Sequence, residues 1–495
     1  MSARTALVSV SIASASLAGG TPPMFDPPVE YAAGDAAVAL DTGDANGDGA
    51  LDLLVGSTGV DRGVSLLLGN GDGTFMPEVR LDASLTATAV RFADIDGDAD
   101  LDIVAVNGSG GNGFVRVLLG NGDGTFAVGQ FQFVGAGPID LKVRDLDNDG
   151  NLDLAVLNRD STDLSVLLGN GDGTFGAESR IDLSNSPQSI DLADLNGDGI
   201  DDLVHSTLGA SVVVRNGDGA GGFGGTTVFI TSLASVNDAD IADLDHDGFP
   251  DIVATPMHGN ILNIYFGQGG GAFAPLEMVT TVGNARFSHL ADVNGDRLVD
   301  IVTVSSSGDS FAVLLSNEDR TFMPPAPFIS CDSPSAATSA DLDGDLDADL
   351  VIACQSTGFV RTRTNTTRLD PRIVAHPQAT LASQGADVQL TVDAVGAPFP
   401  AVQWRRGGVP LADSGNVSGA TSFTLTLSNV SGADEQFYDA VVTNSEGSVT
   451  SAPALLAVSG GGGGGPACPG DADDSGTVDF NDLVATLFLF GPCPE

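Results

Sequence analysis

Short apolar runs alternate with clusters of Gly, Asn and Asp over the first three quarters of the chain. Leu101-Asp-Ile-Val-Ala-Val106 and Leu164-Ser-Val-Leu-Leu168 are typical. Aliphatic and β-branched residues bounded by turn formers read as strands. The Gly-Asn-Gly-Asp-Gly segments tolerate the positive φ of tight turns and predict hairpins.

The pattern repeats. Asp44-Ala-Asn46-Gly-Asp48-Gly-Ala-Leu-Asp52 recurs six times, and its first positions are separated by 50, 51, 49, 49, 49 and 49 residues. A second element, Leu66-Leu-Leu-Gly-Asn-Gly-Asp-Gly-Thr-Phe75, keeps step at 117–126 and 166–175. It degrades through Phe223, Phe273 and Phe322 and has no counterpart in the seventh repeat. Each unit has room for about four strands of the usual five or six residues. Four strands every 40 to 50 residues, arranged radially, make a β-propeller blade, whereas the coils of a linear β-solenoid are far shorter. The prediction is an all-β protein with seven blades over residues 21–369.

Charge then changes the picture. Of 495 residues, 66 are acidic and 19 basic, for a formal net charge of -47. The acids are 58 Asp and only 8 Glu, and Lys142 is the single lysine. No nucleic-acid partner is expected, because phosphate neutralisation needs Lys/Arg clusters. Residues 1–20 read as a signal peptide, with Arg4, a small apolar stretch and Ser16-Leu17-Ala18, and no window predicts a membrane span. The expected location is secreted or cell-surface.

The Asp excess has a local geometric explanation. Carboxylates at positions 1, 3, 5 and 9 of a loop that turns at position 6 converge on one point. Two such charges about 4 Å apart repel by roughly 1 to 4 kcal/mol at effective dielectrics of 80 to 20. A hard divalent cation removes that penalty, and all-oxygen ligation with flexible geometry selects Ca²⁺. The candidate ligands are Asp44, Asn46, Asp48 and Asp52 in loop 1; Asp94, Asp96, Asp98 and Asp102 in loop 2; Asp145, Asp147, Asp149 and Asp153 in loop 3. They continue as Asp194, Asn196, Asp198 and Asp202 in loop 4; Asp243, Asp245, Asp247 and Asp251 in loop 5; Asp292, Asn294, Asp296 and Asp300 in loop 6; Asp341, Asp343, Asp345 and Asp349 in loop 7.

Position 6 is Gly49, Gly150, Gly199 and Gly248 in four loops and Ala99, Arg297 and Leu346 in the others. A left-handed conformation there costs a non-glycine residue about 1 kcal/mol or more. Arg297 is expected to bring positive charge toward its site. Loops 3 and 5 are therefore expected to bind most tightly and loop 6 most weakly. The rest of the acidic surface reads as a solubility feature.

These loops, followed by the Leu-Leu-Gly-Asn-Gly-Asp-Gly-Thr-Phe strand and turn, resemble FG-GAP/VCBS-type repeats. Similar blades build the seven-bladed propellers of integrin α-subunits and of many exported bacterial proteins. The resemblance implies calcium loops on one face of the disc and a free opposite face for ligands, without implying an activity.

Residues 370–458 change character. They are rich in Thr, Ser and Val and contain the only tryptophan, Trp404. Val402-Gln-Trp404 fits the buried tryptophan of an immunoglobulin strand C, and Tyr438 fits the tyrosine corner. Gly396-Ala-Pro398-Phe-Pro400, Asp434-Glu-Gln-Phe-Tyr438 and Asn444-Ser-Glu-Gly447 resemble an I-set immunoglobulin-like domain. Val392 and Ala440 stand where bridging cysteines would be. Just before this domain, Arg361 and Arg363 alternate on one strand and read as a solvated face.

A Gly-rich linker at 459–466 precedes a last unit at 467–495. Asp471, Asp473, Ser475, Thr477, Asp479 and Asp482 take positions 1, 3, 5, 7, 9 and 12 of an EF-hand-type calcium loop, with Gly476 at position 6. The unit resembles one half of a dockerin, which implies a cohesin-like or sorting partner. Cys468 with Cys493 is the stronger disulfide candidate and Cys331 with Cys354 the weaker.

No catalytic constellation stands out. The five histidines are scattered, and no Gly-x-Ser-x-Gly or phosphate loop appears. The expected function is an exported, calcium-stabilised, non-catalytic binding, adhesion or scaffold protein whose partner is a glycan or an extracellular protein. The alternative is an accessory component of a polysaccharide-degrading assembly, recruited through the C-terminal unit.

Overall fold

A computed structural model describes residues 23–459, apart from 109, 110, 112, 184, 232, 307 and 318. The expected signal peptide at 1–20, nearly all of the Gly-rich linker and the dockerin-like unit with Cys468 and Cys493 lie outside these residues. Seven four-stranded antiparallel sheets fill the first part of the chain. The first consists of Ala37–Gly43, Asp52–Ser57, Gly63–Leu67 and Val79–Asp82. The second strand of every blade is buried at each residue, which is why it reads as a short unbroken apolar run after its leading Asp. In the first blade's outer turn Gly71 and Gly73 take φ of 71° and 76°, a region closed to most side chains.

The innermost strands of successive blades pack in order and return to the start, so the sheets form a ring. Pro334–Ala340 of blade 7 lies against Ala37–Gly43 of blade 1, and Ser335 Oγ donates to the Ala37 carbonyl at 2.6 Å. This is a propeller and not a linear solenoid.

Blade 7 borrows its outer strand. Val29–Ala32, from the start of the described chain, pairs with Phe359–Arg363. The missing second element of the seventh repeat is supplied from the same place: Phe25 bridges Asn365 as Phe75 bridges Gly69. Phe25-Asp-Pro-Pro-Val29 keeps the spacing of Phe75-Met-Pro-Glu-Val79, a signal present in the sequence but far from where the repeat breaks off. The Phe25 ring packs edge-on against Phe328 and Phe311, with centroids 5.3 and 6.0 Å away.

The two arginines on Phe359–Arg363 are not a free solvated face. Arg361 pairs with Glu30 on the borrowed strand and donates to the Ser330 carbonyl at 2.5 Å. Arg363 donates to the Ile329 carbonyl at 2.5 Å and lies over the Phe311 ring. Both clip the closing strand to blade 6, a contact invisible to local alternation.

Leu369–Ala375 opens a β-sandwich. Trp404 and Tyr438 are fully buried, and Tyr438 Oη donates to the Asp434 carbonyl at 2.8 Å, as the tyrosine corner requires. Val392 and Ala440 pack in the same core where a disulfide would otherwise lie. The disulfide of the described chain is Cys331–Cys354, the pair ranked second from the sequence, with Cα atoms 5.8 Å apart. It tethers the segment leading into blade 7 to the end of strand Asp349–Cys354. Among the described residues no helix is long and apolar enough to cross a membrane.

Candidate metal centres

Each acidic loop joins the first and second strands of a blade, and its ninth residue is the first residue of the second strand. The loop is shaped by its own backbone. In all seven, Oδ2 of position 1 accepts the N–H of position 6, and Oδ1 of position 5 accepts the N–H of position 7. Position 6 is left-handed throughout, including Ala99, Arg297 and Leu346 at φ of 75°, 71° and 69°. Position 4 is left-handed throughout as well, from Gly47 at 70° to Asn148 at 59° and His246 at 55°. Sequence reasoning missed this second constraint. The Gly/Asn/His composition of position 4 carried the signal, since those types enter the region at least cost.

Position 9 has a double task. Asp52, Asp102, Asp153, Asp202, Asp251, Asp300 and Asp349 are at most 1% exposed. One oxygen of each accepts the N–H of position 2, as Asp153 does from Leu146 at 2.8 Å. The other accepts a backbone N–H from the end of the third strand, as Asp153 does from Gly169 at 2.7 Å. Burial pushes Asp251 and Asp349 up to about 7 against the downward pull of those N–H groups. It raises Asp52, Asp102, Asp153 and Asp202 in the same sense and lifts Asp300 well above the carboxylate range. A cation beside such a group offsets the cost of its buried charge.

Three of the four expected donors come together in four of the seven loops, and position 5 is not among the clustered carboxylates. In loops 2, 3, 5 and 7 the carboxylate oxygens of positions 1, 3 and 9 lie within 4.8 Å of one another. Loops 1, 4 and 6 carry Asn46, Asn196 and Asn294 at position 3, whose amides hydrogen-bond to a neighbouring carboxylate of the same loop. Donor sets made of oxygen alone suit a hard divalent cation. Arg297 does not turn into loop 6 as expected. Its guanidinium pairs with Asp393 of the sandwich and lies over the Phe423 ring, drawn away by an acid and an aromatic face more than 90 residues along the chain.

Aspartates outside the loops also have local tasks, which corrects their reading as a solubility feature. Asp72, Asp123, Asp172 and Asp319 each accept the N–H and the hydroxyl of a Thr two residues on, fixing the outer turn. Others ring a central cavity of about 350 Å³ lined by the innermost strands. Asp41, Asp140, Asp191 and Asp238 accept the N–H of Phe92, Ile190, Ile241 and Ser288 at 2.7 to 3.1 Å, each reaching the next blade. Lys142 pairs with Asp191 at 2.9 Å. Burial pushes Asp238 up to about 6, and burial with the neighbouring Asp238 raises Asp240 further.

A carboxyl raised in the folded state stabilises the fold below its unfolded pKa, and that stability is lost as pH rises through the folded value. At a fixed calcium concentration the propeller's melting temperature is therefore expected to fall as pH rises from the ordinary aspartate value of 3.8 through about 6 at Asp238, with Asp240 extending the fall upward. Asp240→Asn keeps an acceptor for the Ser288 hydroxyl and removes one charge. It should flatten that slope and stabilise the fold at the alkaline end. Thermal melts across the pH range check this, and an unchanged slope would remove the channel carboxylates as its cause.

The repeat and the sandwich both match known families. Residues 44–105, 145–205 and 292–352 match the FG-GAP-like repeat, each stretch starting at position 1 of a loop, and residues 371–458 match the immunoglobulin I-set domain. Hemicentin-2 of Mus musculus is 38% identical over 90 residues, 18% of this chain and 2% of that protein. Endoglucanase C of Cellulomonas fimi is 39% identical over 89 residues, 18% of this chain and 8% of that protein. Peroxidasin homolog of Homo sapiens is 33% identical over 88 residues, 18% of this chain and 6% of that protein. The chain thus spans less than a tenth of the length of these curated relatives. Among solved structures, the titin M10–obscurin-like 1 immunoglobulin complex is 28% identical, covering 20% of this chain and 99% of that one, with a TM-score of 0.18.

Proposed function

We propose that this is an exported, calcium-stabilised adhesion or scaffold protein without catalytic activity, whose propeller presents a face to a glycan or an extracellular protein. One observation carries the reading: the acidic loops repeat with the same internal hydrogen bonds in all seven blades. A geometry repeated seven times serves the architecture, whereas an active site is built once. FG-GAP-like repeats beside an I-set domain support a binding role. In this reading Ca²⁺ binds between positions 1, 3, 5 and 9 of the loops and joins the first and second strands of a blade.

The test is a screen of the full chain against a glycan array and a panel of extracellular proteins, with calcium and with EGTA. Calcium-dependent retention by one ligand class is expected, and turnover of any arrayed glycan would overturn the non-catalytic reading. The identity shared with Endoglucanase C favours a second reading, an accessory role in polysaccharide degradation. Capture of a cohesin-like partner by residues 467–495 would select it.

A further inference from the structure

The outer turn of each blade docks on the acidic loop of the preceding one. The N–H groups of Gly73, Gly124, Gly173, Gly221 and Gly271 donate to the position 2 carbonyls of loops 7, 1, 2, 3 and 4, at 2.9 to 3.3 Å. All five glycines are left-handed, with φ between 73° and 77°. In blade 6 the equivalent residue is Arg320, which keeps the left-handed backbone at φ 66° although a side chain there is disfavoured. That side chain enters loop 5. Its Nε donates to Asp245 Oδ2, its Nη2 donates to Asp247 Oδ2 at 3.2 Å, and its guanidinium lies 5.0 Å from the centre of the Phe266 ring. The Asp245 side chain is only 4% exposed.

The remaining oxygens of that pair are engaged too. Asp245 Oδ1 accepts the Asp247 N–H at 3.2 Å, and Asp247 Oδ1 accepts the Phe249 N–H at 3.0 Å. In loop 3, whose four acids match those of loop 5, no arginine takes this place, because the turn that covers it carries Gly221.

We propose that Arg320 is the resident cation of loop 5, a guanidinium tethered by the next blade that takes the carboxylate oxygens a calcium ion would use. The proposal rests on the calcium reading of the other loops and reverses the rank that the sequence of loop 5 suggests. A divalent ion among these oxygens would sit within a few ångströms of a fixed positive charge in a partly buried site. Its affinity for loop 5 is expected to be at least about 100-fold weaker than for loop 3. Blade 5 keeps its loop shape when calcium is withdrawn.

Counting bound calcium on the full-length protein at one fixed free concentration tests this. Arg320→Gly restores the residue of the five sister turns and is expected to bind one more ion per chain than wild type. Arg320→Gln, which keeps bulk without charge, should also gain that ion. Arg320→Gly with Asp245→Ala should lose it again, assigning the gain to loop 5. Equal counts in wild type and both single variants would overturn the proposal. Wild type with no bound calcium at all would overturn the calcium reading itself, and the two failures are told apart by the wild-type count.

Discussion

Withdrawing calcium with excess EGTA is expected to lower the propeller's melting temperature by on the order of 10 °C. At a free concentration about ten times Kd, one site adds roughly 1.4 kcal/mol to the folded state. On the proposed reading, in which Arg320 serves loop 5, six occupied loops add about 8 kcal/mol. Unfolding entropy near 2 cal/mol/K per residue gives a domain of about 350 residues a shift of little more than 1 °C per kcal/mol. Differential scanning calorimetry with calcium and with EGTA checks this, and coincident transitions would exclude bound calcium as a stabiliser. The sandwich, whose core is apolar around Trp404, Tyr438 and Leu456, should melt at the same temperature in both conditions.

The second large effect separates two kinds of aspartate within one loop. Asp153→Ala strands the buried N–H of Leu146 and the half-buried N–H of Gly169, which its carboxylate holds at 2.8 and 2.7 Å. An unsatisfied buried donor costs about 1 to 3 kcal/mol, so the pair sets a loss of roughly 2 to 6 kcal/mol even in EGTA. Asp147→Ala removes only an exposed bond to the Asp149 N–H, at 3.2 Å. In EGTA it should cost less than about 1 kcal/mol, and in calcium it should cost more. Denaturant melts of both variants in both conditions give the comparison. Equal losses for the two in EGTA would refute the structural role assigned to position 9.

Much of this architecture is written in short stretches. The Asp-x-Asp-x-Asp loops with their glycines fix where each turn falls, because left-handed backbone and Asx hydrogen bonds join residues two to five apart. The same holds for the outer turns, where Asp72 and Thr74 sit two residues apart. Trp404 and Tyr438 were legible for a different reason: their types are rare in this chain and their spacing fits a single sandwich geometry.

Other features escaped local reading. The left-handed position 4 shows only when all seven loops are aligned, since its Gly, Asn and His share a backbone preference and not a residue type. Ring closure was hidden because Phe25 and Asn365 meet only when the first and last blades do. Arg297 and Arg320 occupy matching kinds of tight left-handed site, yet one reaches a sandwich aspartate and the other a neighbouring loop. Nothing in the flanking residues distinguishes those two destinations.

Legible in the sequence alone were the number of blades, the apolar run of each buried second strand, the placing of the acidic side chains in each loop and the immunoglobulin-like core. The first three follow from the repeat's periodicity and backbone preference, and the core from the rare Trp404 and Tyr438 at a spacing that fits one sandwich geometry. The tertiary structure alone decided which strand completes blade 7, which aspartates turn inward to hold the next blade, and which arginines act as counter-charges. Those choices depend on partners about 50 residues away across a blade boundary, or 343 away where Met24 meets Thr367. At such separations the contact is set by how the blades close on one another, and the one mark it leaves in the sequence, the Phe25 to Val29 spacing, lies far from where the seventh repeat breaks off.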